Sequence, residues 1–426
     1  MSIKNLIRLV LSILIFTLIL PEKNRDLLHR IIYKLSSIKL QSPDFTNNSN
    51  HVQKRICSSL TRDIEDAIRG QYPNWSISVI DKNGSQIVDI NGNTTRTPAS
   101  NQKLLTTAYA IDIIGNRRLK TKLFRRLNGD YYLIGIGDPD FGNYHIEKIL
   151  ETINDRRYFK TIFNNNKQTK LLIYDIPSRN WWPEAWFQAD KSHDYGAPIT
   201  RLALESNSSY IAKTRPTIYT QNVFQENIQR KNLNINVIRK DISNFKRNIF
   251  DKEVLSLESA PLKSLVSLAN SESHNFTSEI LLRNTSKSWN SDRAAYSLRN
   301  WLIKKGIKVK DFVIKDGSGL SRTNKLTSNG IARVLFMMNN HKYSKRYIST
   351  MSVIGIRGTL SNFNHDGSLA GKFFGKSGTL TGVRSLSGYI IDNREKTIIS
   401  ILTEDVVSPD LLLSRIISIV KSDSIC

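Results

Sequence analysis

The sequence is poor in cysteine: Cys57 and Cys426 stand alone among 426 residues, with no Cys-x-x-Cys and no Cys/His pair at metal-ligand spacing. A zinc, iron–sulfur or disulfide-dense scaffold is thereby excluded, and no metal or cofactor is expected. Acidic residues are also scarce, 37 Asp+Glu against 62 Lys+Arg, for a formal charge of +25. Such a balance suits a polyanionic neighbour (nucleic acid, an anionic membrane face, an acidic cell wall) or simply a lysine-rich solvated surface. Zinc-finger spacing, RNP-like aromatic stretches and basic heptad helices are missing, so nucleic acid is not expected as a partner.

An N-terminal apolar run comparable to the roughly 20 residues that span a bilayer comfortably is lacking too. What is there is shorter. Leu9 to Leu20, broken only by Ser12 and Thr17, follows Lys4 and Arg8 and ends at Pro21-Glu22-Lys23. A basic segment leading into a short apolar one is the pattern of an export signal. Because no A-x-A-like cleavage site follows, residues 1–22 are expected to be a signal peptide or an uncleaved membrane anchor, and 23–50 a polar tether. In an exported chain Cys57 and Cys426 can form a disulfide if the first mature helix (about 52–69) and the last (about 409–422) pack side by side. The alternative is two unrelated thiols.

The length allows two or three domains at about 150 residues each. A helix, then strands Trp75 to Asp81 and Gln86 to Asn91 joined at Lys82-Asn83-Gly84, lead to a helix that starts at Pro98-Ala99-Ser100 and stops at Gly115. From about Leu119 to Phe250 short strand-like runs dominate, among them Tyr131 to Ile136, Lys170 to Tyr174 and Leu233 to Val237. This stretch also holds Trp181-Trp182-Pro183 and Trp186-Phe187, an aromatic group suited to packing under a loop or to forming a ligand platform. Helices resume near Leu262, Phe276, Arg293 and Ile331, and strands Lys372 to Gly375, Ser385 to Ile391 and Thr397 to Leu402 precede a terminal helix. The expectation is an α+β fold: an antiparallel sheet flanked by helices in 51–118 and 251–426, split by a largely β insertion at 119–250.

Three short blocks carry chemistry: Ser100-Asn101-Gln102-Lys103, Ser273-His274-Asn275 and Lys376-Ser377-Gly378-Thr379. Residues three apart share a helix face, so Lys103 can reach the Ser100 hydroxyl. Lysine serves as a base only when its pKa is lowered, by burial or by a second cation such as Lys376. Ser273, between two helices, can relay a proton, and Asn275 can hold a substrate carbonyl and orient Lys103. His274 is expected to be a bystander. On an edge strand, Lys376 with the Ser377 and Thr379 hydroxyls can attract a substrate carboxylate while Gly378 permits close approach, and a peptide can add as a further strand. The backbone N–H groups of Ser100 and Thr379 are the expected oxyanion hole.

These blocks, with Asp316-Gly317-Ser318-Gly319-Leu320-Ser321-Arg322 and the string from Gly375 to Leu386, give a sequence that resembles the low-molecular-mass class C penicillin-binding proteins, the D-alanyl-D-alanine carboxypeptidases and endopeptidases. The resemblance runs from about Val52 to the C-terminus and includes the long insertion between the first two blocks. It implies a transpeptidase-like domain, the fold shared with β-lactamases, with Ser100 as acylated nucleophile, Lys103 as its base, and Ser273, Asn275 and Lys376 to Thr379 as the cleft walls. It further implies peptidoglycan stem peptides as substrate, β-lactams as inhibitors, and the periplasm or the outer face of the cytoplasmic membrane as location. His274 stands where the pattern often has Asp, and Ser377 where Thr is commoner. Asp316 and Ser318 are expected to shape the loop behind the cleft; Arg384 either holds substrate carboxylate or braces a strand turn. Competing readings are a β-lactamase-like hydrolase and a non-catalytic wall-binding scaffold of the same fold.

Overall fold

Alternation of apolar and small polar side chains along the central strands gives this chain a sheet with two buried faces. The computed structural model describes residues 52–155, 168–363, 367–393 and 395–422. The expected leader, tether and Cys426 lie outside these residues, and with them the Cys57–Cys426 pairing.

The chain starts with the two-residue strand β1 (Gln53–Lys54), helix α1 (Ser58–Ala67) and the hairpin β2 (Trp75–Ile80) and β3 (Ser85–Ile90). Residues 52–57, expected to be helical, instead extend along β3, so α1 begins only after Cys57. A 3-10 turn, Ala99–Asn101, runs into α2 (Gln102–Ile114). The next segment builds a separate sheet from β4 (Lys120–Arg125), β5 (Tyr131–Ile134), β6 (Thr169–Asp175), β7 (Ile235–Asp241) and β8 (Lys252–Glu258), with helices α3 (Asn143–Asn154) and α4 (Pro216–Arg230). Its order is β7-β6-β5-β4-β8: β5, β6 and β7 are parallel, while β4 runs antiparallel to β5 and β8. β8 pairs with β4 although it lies past residue 250, where the insertion was expected to end.

Helices α5 (Leu262–Asn270), α6 (Asn275–Ser286) and α7 (Ser291–Lys304) follow, then the short pair β9 (Phe312–Val313) and β10 (Lys325–Leu326), α8 (Ser328–Asn339), α9 (Ser344–Ile348) and β11 (Ser352–Val353). The chain ends in β12 (Phe373–Leu380), β13 (Val383–Asp392), β14 (Glu395–Glu404) and α10 (Pro409–Ser422). The large sheet has the order β1-β3-β2-β14-β13-β12-β11, so the hairpin near the start closes onto the last three long strands.

One face of that sheet, with Ile77, Val79, Ile399, Ile401 and Leu386, packs on Leu60 and Ile64 of α1 and Leu413, Ile416 and Ile417 of α10. The other face carries serines where the first motif lands. Asn101 Nδ2 donates to Ser387 Oγ, Ser387 Oγ to Ser400 Oγ, and Ser385 Oγ to the Pro98 carbonyl. Small polar side chains let the turn settle onto the strands while the hydroxyls of Ser385, Ser387 and Ser400 each keep a partner. Helix α2 is buried from Gln102 to Ile111, with α5, α6, α7 and α8 packed about it. It lacks a distinct polar face because it is the axis of the helical lobe and meets solvent only near its end, at Ile113.

Candidate active site

The turn that presents Ser100 is held under tension from two sides. Ala99 sits at φ +46, a left-handed conformation that costs a non-glycine residue energy. On one side Gly319 (φ +85) brings the 316–319 loop so near that a Cβ there would stand 1.8 Å from the Ala99 carbonyl oxygen. On the other, a Cβ at Gly378 of β12 would meet the Ser100 nitrogen and the Pro98 carbonyl oxygen at 2.9 Å each. Both glycines are needed for close approach of backbone to backbone.

Lys103, one turn into the helical run, is fully buried. Its Nζ contacts Ser100 Oγ at 2.9 Å, Asn275 Oδ1 at 2.6 Å and the Ser318 carbonyl at 2.7 Å. The orientation of Asn275 is fixed because its Nδ2 donates to the Tyr195 carbonyl at 3.0 Å, turning the oxygen to Lys103. Two of the three Lys103 contacts are thus to carbonyl oxygens that can only accept. A neutral amine has two protons and one lone pair; with both protons spent on carbonyls, the lone pair faces the Ser100 hydroxyl. Burial pushes the Lys103 pKa down to about 7, against the opposing pull of the Asp316 and Glu279 carboxylates.

The second block reaches the same point. Ser273 adopts φ +60, and its Oγ donates to Ser100 Oγ at 3.0 Å. Asn275 is the first residue of α6 rather than part of the loop, which gives its side chain a rigid base. His274 turns its Nδ1 to Thr277 Oγ1 at 2.7 Å, and burial, reinforced by the Lys103 charge, lowers its pKa to about 4.

The third block lies within β12. β11 pairs with β12 only at Phe374 and Gly375, so among the described residues the outer edge from Lys376 to Leu380 has no strand partner. Lys376 is fully buried and its Nζ donates to the Ser377 carbonyl at 2.7 Å. Burial first, then the charge of Lys103, holds its pKa well below the ordinary lysine value, with Glu272 opposing. Ser377 Oγ shares a 2.8 Å hydrogen bond with Thr359 Oγ1. Ser100, Ser273, Asn275 and Thr379 line one cleft of about 370 Å³, with Asp190, Tyr195, Gly319, Leu320, Arg322, Leu380 and Thr381. Arg384 is elsewhere: it pairs with Asp410 at 3.5 Å and donates to the Val383 carbonyl, so it braces the strand turn.

Sequence reasoning passed over several contributors. Glu279, fully buried on α6, accepts from the backbone N–H groups of Gly317 and Ser318 at 2.9 Å each. It thereby fixes the loop whose Ser318 carbonyl holds Lys103. Burial and the nearby Asp316 push its pKa up to about 7, while Arg283 opposes. Asp316, which was expected to shape this loop and was not passed over, ties it by accepting from the Gly319 and Ser321 N–H groups, Asn324 and Trp186 Nε1. Trp186 is therefore a buried brace, while Trp181 and Trp182 pack against the helical core. Asp190 and Tyr195 come from consecutive 3-10 turns inside the region read as an insertion, a conformation without a periodic signal.

A family model described as the D-Ala-D-Ala carboxypeptidase 3 (S13) family matches residues 60–218 and 203–421. A D-alanyl-D-alanine carboxypeptidase of Actinomadura sp. (strain R39) is 31% identical over 90 residues, 20% of this chain and 17% of that protein. The D-alanyl-D-alanine carboxypeptidase DacB of Haemophilus influenzae is 27% identical over 143 residues, 32% of this chain and 30% of that one. The aligned stretches thus span less than a third of either curated relative. The crystal structure of penicillin binding protein 4 from Haemophilus influenzae superposes with a TM-score of 0.70, covering 85% of this chain and 99% of that one at 17% identity, a likeness of fold.

Proposed function

The chain belongs to the D-Ala-D-Ala carboxypeptidase 3 (S13) family, and on that footing we propose that it is an exported serine-type D-Ala-D-Ala carboxypeptidase that acts on peptidoglycan stem peptides and is acylated by β-lactams at Ser100. The observation that carries this reading is the Lys103 amine, with two hydrogen bonds to fixed carbonyls and its third direction on Ser100 Oγ.

The substrate strand adds along the free edge of β12, with its scissile carbonyl oxygen toward the N–H groups of Ser100 and Thr379 and its terminal carboxylate drawn to Lys376, Ser377 and Thr379. Neutral Lys103 removes the Ser100 proton as Oγ bonds to the carbonyl carbon. When the tetrahedral intermediate collapses, the C–N bond breaks and the proton passes from Lys103 through the Ser273 hydroxyl to the departing amine of D-alanine. Water then hydrolyses the ester, with Lys103 again taking the proton, and Ser100 is restored. A β-lactam follows the first half of this sequence, and its amine stays tethered to the acyl group. A D-amino-acid cross-link presents the same bond type, so endopeptidase cleavage uses the same steps.

D-Alanine release from a pentapeptide stem is the test: the full chain should release it, and Ser100→Ala should not. A wild-type chain that releases none would leave the scaffold reading, and rapid hydrolytic turnover of penicillin would favour the β-lactamase-like one.

A further inference from the structure

Outside the catalytic blocks, two turns leave the second sheet side by side, because Arg125 pairs with Lys252 at the end of the β4–β8 ladder. The first spans Arg126 to Asp130 and the second Asn248 to Asp251. Each is locked by its own side chains. Asn128 accepts from the Asp130 N–H and donates to its carboxylate, while Asn248 donates its N–H to Asp251 and accepts from the Phe250 N–H. Yet each rigid turn holds its apolar side chains in water: Leu127 is 64% exposed, Ile249 88% and Phe250 63%. Large apolar side chains at the apex of a stiffened turn gain nothing from the fold and mark a contact surface.

The charge around them has one sign. Lys246, Arg247 and Lys252 are exposed beside the apices, and Arg126 lies over the Tyr132 ring with Nη2 on Tyr174. The acids of the two turns are withdrawn: Asp130 and Asp251 are buried and engaged with their own turns, and Glu253 is paired with Lys122. Apolar apices within a cationic rim match the boundary of an anionic bilayer, where the side chains enter the acyl region while the cations meet headgroup phosphates. A soluble wall polyanion would use the cations and leave the apolar apices without a role.

We propose that this pair of turns is an interfacial docking site for anionic phospholipid, separate from any N-terminal anchor. The test uses the full chain carrying Phe250→Trp, with the unsubstituted chain's emission subtracted to remove its six tryptophans. Phosphatidylglycerol vesicles should shift the difference emission to the blue, and brominated acyl chains should quench it; phosphatidylcholine vesicles should do neither. Lys246→Gln and Arg247→Gln in that background should each raise the lipid needed for half the shift about fivefold. No shift with phosphatidylglycerol would overturn the proposal, including the case of a chain bound only through its N-terminus. A shift produced equally by soluble polyphosphate, without bromine quenching, would overturn it in favour of a wall polymer.

Discussion

Gly378→Ala tests the proposed oxyanion hole apart from the rest of the site. The added Cβ would stand 2.2 Å from Ser385 Oγ and 2.9 Å from both the Pro98 carbonyl oxygen and the Ser100 nitrogen. The Ser385 hydroxyl can rotate aside at the loss of its 2.7 Å hydrogen bond to Pro98. The two backbone atoms cannot, since the Ala99 turn is clamped from behind by the 316–319 loop. β12 must therefore retreat from the turn, carrying the Thr379 N–H away from the Ser100 N–H. Loss of one such donor lowers turnover about 100- to 1,000-fold, whereas one methyl of overpacking costs about 1–3 kcal/mol of stability, which a sheet this well paired can absorb. The assay is the second-order rate of acylation by a fluorescent penicillin, alongside a thermal unfolding midpoint. A folded Gly378→Ala chain that acylates within a few-fold of the unsubstituted rate would refute the assignment of these two N–H groups.

The pH dependence follows from Lys103. Burial brings its pKa down to about 7, so the amine is charged and without a lone pair below that pH and neutral above it. The acylation rate constant should therefore climb about tenfold per pH unit on the acid side and level off above about 7; a flat profile through neutrality would contradict the role given to this lysine. Lys103→Arg, which keeps a charge at every accessible pH, should abolish acylation while leaving a folded protein. Glu279→Gln tests the buried support of the 316–319 loop: Glu279, its own pKa pushed up to about 7, carries the charge that favours the Lys103 ammonium only near and above neutrality, so its removal should bring the plateau in at lower pH while the profile well below neutrality stays in place, and an unmoved plateau would reduce Glu279 to a packing role.

What could be read from the sequence was the chemistry that needs fixed side chains at short spacing. Ser100 and Lys103 announce themselves because three residues make one helical face, and Lys376 to Thr379 because the glycine and hydroxyls sit in a strand pattern. The three blocks do converge, with Ser273 Oγ 3.0 Å from Ser100 Oγ across 173 positions. The supporting residues were not legible for identifiable reasons. Glu279 and Arg283 look like an ordinary surface pair at i and i+4, yet both are fully buried. Tyr195 orients Asn275 through a backbone carbonyl, which any residue type supplies, so no side-chain pattern marks it. β1 and β8 were misplaced because a two-residue strand, and a strand closing an insertion onto its own first strand, are fixed by tertiary pairing alone.

The most direct test of the account is the mass of the intact chain after exposure to penicillin, followed by location of the modified peptide. One penicilloyl adduct should survive denaturation, map to Ser100 and disappear in Ser100→Ala. An unmodified wild-type chain, or an adduct that persists in Ser100→Ala, would contradict it.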